Sequence, residues 1–470
     1  MKFKNLGLAL GTSALIIGAG VACSDDDSSS PSREEDTSDD TNDETSEKTD
    51  DSDDSSDETS DDSCPDLDDR DEVEVSGEIS RNTTWTCDKT YILTDLTFVV
   101  DDKVLTIEPG TVVRGQERAA LVATRGSKLV AQGTKEAPIV FTSDLREGER
   151  GPGDWGGLVL LGGAPINAKG GVDQVEGISS GEAFGEYGGD DEEHDCGRLR
   201  YVRVEFAGYE LSVDNELNGI SVAGCGSKTR LEYVQVHRGS DDGIELWGGS
   251  AQAKYIVLSG IQDDSVDWDS GYRGKMQFVV VQQHDDGDAI IEADNNADDN
   301  DASPRSNPTL YNATFVGGGG NGIVLRVGTW GIIRNAIITG APYAVDVRDA
   351  ATAAGAERDP VRLAIENSIF FDNGTDGKTH FRDDDNAGGF VDEDFFTAEE
   401  RSNQFDVDPE LDDIQSRTEP GFVPAEDSPA GDGAASPPDD GFFDTSAKYI
   451  GAFEPGGEDW TQGWTAYPRD

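Results

Sequence analysis

Three acidic residues recur at one position of a repeated apolar pattern. Glu245, Asp267 and Glu292 lie in Gly243-Ile244-Glu245-Leu246, Ser265-Val266-Asp267-Trp268 and Ile290-Ile291-Glu292-Ala293, and Asp269 and Asp294 follow two residues after the second and third. If these segments are neighbouring strands in register, equivalent side chains lie about 4.8 Å apart and point the same way. Like charges that face each other across strands are destabilising, and a hard cation held by oxygen relieves the repulsion. Glu245, Asp267, Asp269, Glu292 and Asp294 are therefore candidate calcium ligands. The pairs Asp241-Asp242, Asp263-Asp264 and Asp285-Asp286 recur before the strands and add to the same face. The plain alternative is a set of solvated carboxylates screened by sodium. At the ends of this face, Trp247 offers an aromatic surface for a sugar ring, and Arg326 and Arg348 offer guanidinium groups for an acidic one, so these three are candidate ligand-binding residues. Asp267, Glu292 and Arg326 are candidate catalytic residues, because paired carboxylates serve glycoside hydrolysis and a basic group beside calcium serves proton abstraction.

The elements that must position them repeat about every 22 residues, the signature of a stacked architecture. One series runs through Tyr201-Val202-Arg203-Val204, Tyr233-Val234-Gln235-Val236, Tyr255-Ile256-Val257-Leu258, Phe278-Val279-Val280-Val281, Asn312-Ala313-Thr314-Phe315, Asn335-Ala336-Ile337-Ile338 and Asn367-Ser368-Ile369-Phe370. A second runs through Gly219-Ile220-Ser221-Val222, the three acidic segments, Gly322-Ile323-Val324-Leu325 and Ala344-Val345-Asp346-Val347. Alternation with period two excludes a helical solenoid and predicts strands. Two interleaved series with one period predict a right-handed parallel β-helix, an all-β solenoid; a propeller, with four strands in a longer repeat, is the lesser alternative. In the second series Ile220, Ile244, Val266, Ile291, Ile323 and Val345 point inward, and the acidic residues outward. The first series predicts a column of stacked aromatic rings that continues as a column of asparagines, whose amides bond to one another along the axis.

The 470-residue chain carries 37 Lys+Arg against 97 Asp+Glu, a net charge of −60, which excludes nucleic acid as a partner because a polyanion requires cationic neutralisation. A basic start, Met1-Lys2-Phe3-Lys4, precedes an apolar stretch from Leu6 to Ile17 and then Gly20-Val21-Ala22-Cys23, the order of a secretory signal. The small residues before Cys23 resemble a lipobox, in which the cysteine is lipidated, although Gly20 stands where leucine is usual; an ordinary cleaved signal is the alternative. Residues 24–63 hold 19 acidic and 2 basic residues and read as a disordered acidic tether. The other cysteines, Cys64, Cys87, Cys196 and Cys225, are even in number, and an exported chain makes two disulfides of them. Sequence order favours Cys64–Cys87 and Cys196–Cys225, with a four-thiolate metal site as the competing reading. His194, His237, His284 and His380 are scattered without metal-ligand spacing, and Gly317 to Gly320 lack the following Lys-Ser/Thr of a phosphate-binding loop. Trp460 and Trp464, after an irregular stretch, are expected to cover the last coil.

Leu105-Thr106-Ile107-Glu108-Pro109-Gly110-Thr111-Val112-Val113, Lys128-Leu129-Val130-Ala131-Gln132-Gly133-Thr134, Gly153-Asp154-Trp155-Gly156-Gly157, Asp214-Asn215-Glu216-Leu217-Asn218-Gly219 and Tyr449-Ile450-Gly451-Ala452-Phe453 resemble a family of bacterial secreted or outer-membrane β-helix lipoproteins of uncharacterised function. The resemblance spans residues 75–467 and implies no reaction and no catalytic residues. The expected organisation is a signal peptide over 1–22, a tether over 23–63, the β-helix over 64–380 and an irregular capping segment over 381–470. The expected location is the outer membrane, lipid-anchored through Cys23 and facing the surface or the periplasm. The expected role is non-catalytic binding of extracellular polysaccharide or of a cell-surface partner, with calcium as the stabilising ion; a polysaccharide lyase or glycoside hydrolase acting at the acidic face is the alternative.

Overall fold

In the computed structural model, the described residues are 64–470 apart from 179–182, 213–214, 376–378 and 384–386. Cys23, the signal segment and the acidic tether lie outside them. Among the described residues, 25 strands are hydrogen-bonded into one wrapped assembly, and every pairing within it is parallel, as a right-handed parallel β-helix requires. No helix among them is long and apolar enough to cross a membrane.

Three sheets run along the axis. Long strands such as Arg230–His237, Gln252–Ser259, Lys275–Gln282 and Thr309–Val316 contribute to the first two sheets, bending between them at one residue. That residue is Tyr233, Tyr255, Phe278 or Asn312, and with Tyr201, Asn335 and Asn367 it has a positive φ of 47–60°. A left-handed residue costs an ordinary side chain roughly 1–2 kcal/mol, and asparagine tolerates it best. Stacking along the axis offsets that strain in the aromatic part, where successive centroids from Tyr201 to Phe278 lie 4.4, 4.3 and 4.8 Å apart. The third sheet is built from short strands, among them Ile220–Ala223, Ile244–Trp247, Val266–Asp269, Ala289–Ala293, Asn321–Leu325 and Val345–Val347. Their inward residues pair as Ile220, Ile244, Val266, Ile291, Ile323 and Val345, all nearly inaccessible to solvent.

Both disulfides join the expected cysteines, Cys64 to Cys87 and Cys196 to Cys225, which removes the thiolate metal site. Other expectations are corrected. The asparagine amides do not serve one another: Asn312 donates to the Tyr449 carbonyl, Asn335 donates to and accepts from the Ala435 main chain, and Asn367 donates to the Gly433 carbonyl. The segment that satisfies them is a strap laid lengthwise on the solenoid. Trp460 and Trp464 belong to this strap and do not cover the last coil: Trp464 stands edge-on to Tyr201 and Tyr233, and Trp460 to Tyr255. The physical reason is that a corner of stacked rings and amides presents apolar edges and unpaired donors along its whole length. The coils also continue past residue 380 through Phe381–Asp383 and Gln404–Phe405, and the end is filled by Phe370, Phe381, Phe396 and Phe405.

Candidate functional site

The third sheet sets the register of the acidic residues. Ser221, Glu245, Asp267, Glu292, Val324 and Asp346 pair in that order, as expected, and Trp247 pairs with Asp269. The ladder is carried one residue further by main-chain bonds from Asp294 to Trp268, Arg326 to Ala293 and Arg348 to Leu325, so Asp269, Asp294, Arg326 and Arg348 also fall in line.

Turn residues complete the cluster. Asp242 comes against Glu245 and Asp267, and Asp264 against Asp267 and Glu292; flanking groups are formed by Asp241, Asp242 and Asp263 and by Asp263, Asp264 and Asp288. In each group one carboxylate oxygen from each residue lies within 4.8 Å of the others, the span available to oxygens that share one calcium at about 2.3–2.6 Å. The donor set is oxygen alone, which fits calcium and not a softer metal. The recurrence of Asp-Asp before the strands was the signal for these residues, but the third pair misleads. The turn before Ala289 is longer, so Asp288 hydrogen-bonds to the Asp263 carbonyl while Asp285 and Asp286 turn away to Arg417 and Gln262.

Some of this charge is already compensated. Glu245, only 8% exposed, accepts from the Asn218 amide at 2.7 Å. Asp242 accepts from the Asp264 main chain at 3.0 Å, and Asp264 from the Ala289 main chain at 2.7 Å. Arg326 donates to Asp294 at 2.8 Å and to Glu292, and Arg348 pairs with Asp346 at 2.9 Å. Asp267 lies between these arrangements, its Oδ1 buried without a hydrogen-bond partner.

Burial, compounded by neighbouring carboxylates, makes simultaneous ionisation unfavourable. It pushes Asp241 up to about 8 and Asp264 to about 9, with Asp263 and Glu292 respectively the leading charged neighbours. Burial raises Asp269 to about 7 and Glu292 to about 7, in the latter against the opposing pull of Arg326. Asp242, Glu245 and Asp267 are held well above the usual carboxylate range, again by burial first. Near neutral pH the array therefore holds protons.

The two ends of the face differ from an open groove. Trp247 is 8% exposed and packs with Ile166, Val175, Ile178 and Tyr187, side chains of the excursion that follows Gly157–Leu161. Its ring is covered by that excursion and presents no platform to solvent. The 295–308 loop is tied to the same excursion by Asn167, which donates to the Asn295 carbonyl at 2.8 Å and accepts from Asn296 at 3.0 Å. Arg326 and Arg348 are half-buried in their own ion pairs, and Arg326, its pKa raised by those pairs, is not placed to act as a base.

Residues 77–465 match the family described as the pectate-lyase like beta helix domain. The chain belongs to that family. Membership in the pectate-lyase-like β-helix family accords with the parallel coils and connects the protein with polysaccharides. No curated protein and no solved structure matches the chain.

Proposed function

We propose that this pectate-lyase-like β-helix protein binds extracellular polysaccharide, or a polymer-coated cell surface, without cleaving it, and that calcium occupies the carboxylate array of its third sheet. The observation that carries the reading is the pair of interlocking groups Asp242, Glu245, Asp267 and Asp264, Asp267, Glu292, which share Asp267. Calcium held there replaces the protons that burial otherwise imposes, and its remaining coordination positions suit the oxygens of an acidic polymer. Binding is favoured over cleavage by an arginine base, because Arg326 is engaged with Glu292 and Asp294 and is not free to abstract a proton. The signal and Cys23 support export and lipid anchoring at the outer membrane, with residues 24–63 as a spacer of roughly 35 Å or more.

The test is incubation of the calcium-loaded protein with a panel of acidic and neutral polysaccharides. The expected outcome is retention on an acidic polymer with neither unsaturated nor new reducing ends. Release of such ends, abolished in Asp267→Asn, would overturn the non-catalytic reading in favour of a lyase or hydrolase.

A further inference from the structure

A different part of the solenoid, on the second sheet, gathers positive charge. A cavity of about 210 Å³ is lined by His237, Arg238, His284, Arg417, Pro468 and Arg469. In a chain of net charge −60, so basic a lining is not explained by composition. Three elements meet to form it: the ends of Arg230–His237 and Lys275–Gln282 with the turns that follow them, the loop carrying Arg417, and the last stretch of the strap.

The groups in the cavity are not all spent on one another. His237 is committed, with Nδ1 2.8 Å from the Ser259 hydroxyl and Nε2 2.8 Å from the Pro468 carbonyl. Arg417 pairs with Asp285 at 2.9 Å, and the neighbouring carboxylate, Asp286, accepts from Gln262 at 3.0 Å. His284, 7% exposed, has its Nε2 buried without a hydrogen-bond partner, and so has Arg238 its Nε. A buried polar nitrogen left unpaired costs about 1–3 kcal/mol, so the pocket wall is built to meet a polar group it does not itself supply. Among the described residues, Arg238 and Arg469 also have no ion-pair partner. Guanidinium forks match the planar or tetrahedral oxygens of carboxylate and sulfate, and local cations are what admit an anion to a molecule that otherwise repels it.

We propose that this cavity binds the acidic group of an anionic polysaccharide, a sugar carboxylate or sulfate ester, with Arg238, Arg469 and His284 as its ligands. The inference rests on the polysaccharide-binding reading and adds to it a second contact, independent of calcium and on another sheet.

Calorimetric titration of the full folded protein in chelator tests it, with trigalacturonate, a sulfated galactan trisaccharide and neutral galactotriose as probes. Binding of one charged probe and not of galactotriose is expected, and which one binds distinguishes carboxylate from sulfate. Arg238→Gln with Arg469→Gln should weaken it at least tenfold at unchanged melting temperature, and the His284 ring resonances should shift on titration in the parent protein. Equal affinity in parent and variant, or no binding of either charged probe in chelator, overturns the pocket. If polymer retention then persists only with calcium, the proposed function stands without the pocket; if retention fails with calcium too, both fall.

Discussion

Arg326 shows how one side chain settles the chemistry of its end of the ladder. It bridges Glu292 and Asp294, each largely buried, and its own side chain keeps about a third of its surface in solvent. Removing it leaves two carboxylates without their counter-ion, so Arg326→Ala should lower stability by about 1–3 kcal/mol, less than for a fully buried pair. Denaturant titration checks this, and adding Glu292→Gln should recover part of the loss. The pH dependence follows from Asp241, Asp264, Asp269 and Glu292. Folded-state pKa values raised above those of the unfolded chain mean that the folded protein binds more protons, so their stabilisation is complete below about pH 4 and lost as pH rises through about 7–9. Taken through these groups, melting temperature in chelator should fall from pH 5 to pH 9. Calcium should cancel most of that fall, because a ligand bound only by the folded state stabilises it and here displaces protons. A fall that calcium leaves unchanged would remove the metal from the array.

Among the elements, the bent strands and the strap form one structural unit. Asn335 combines a φ of 58° with two bonds to the Ala435 main chain, made through its amide nitrogen and its carbonyl oxygen. Asn335→Ala loses both and retains a strained backbone, an expected loss of about 2–4 kcal/mol, whereas Asn335→Gly relieves the strain and should lose less. Equal losses in the two variants, measured by urea unfolding, would mean that the corner conformation contributes little. The tryptophans of the strap illustrate what spacing along a chain leaves open. Trp460 and Trp464 were legible as a covering element, but the surface they cover is set by the corner column, whose unpaired amides and ring edges exist only once the coils are stacked.

At the scale of the whole molecule, each coil rests on its neighbours and stability accumulates along the axis. The Cys196–Cys225 bridge, with a sequence separation of 29, ties successive coils where the long excursion leaves and rejoins the helix. Replacing both cysteines by alanine should lower stability by about 3–4 kcal/mol on the loop-closure scale. Because a solenoid can open locally, hydrogen exchange should show the loss concentrated in the neighbouring coils. The sequence by itself determined the coil architecture and the vertical order of Ser221, Glu245, Asp267, Glu292, Val324 and Asp346, because period-two alternation with a constant repeat forces equivalent residues into columns, whereas it only favoured the disulfide pairs that the structure then showed. Only the tertiary structure decided that Trp247 is covered, that Arg326 is committed to Glu292 and Asp294, that Asp288 replaces Asp285 and Asp286 beside Asp263, and that Arg238, His284 and Arg469 share a cavity. Those outcomes depend on where excursions of irregular length fold back and on where the strap lies, and such contacts between residues distant along the chain leave no periodic trace in it.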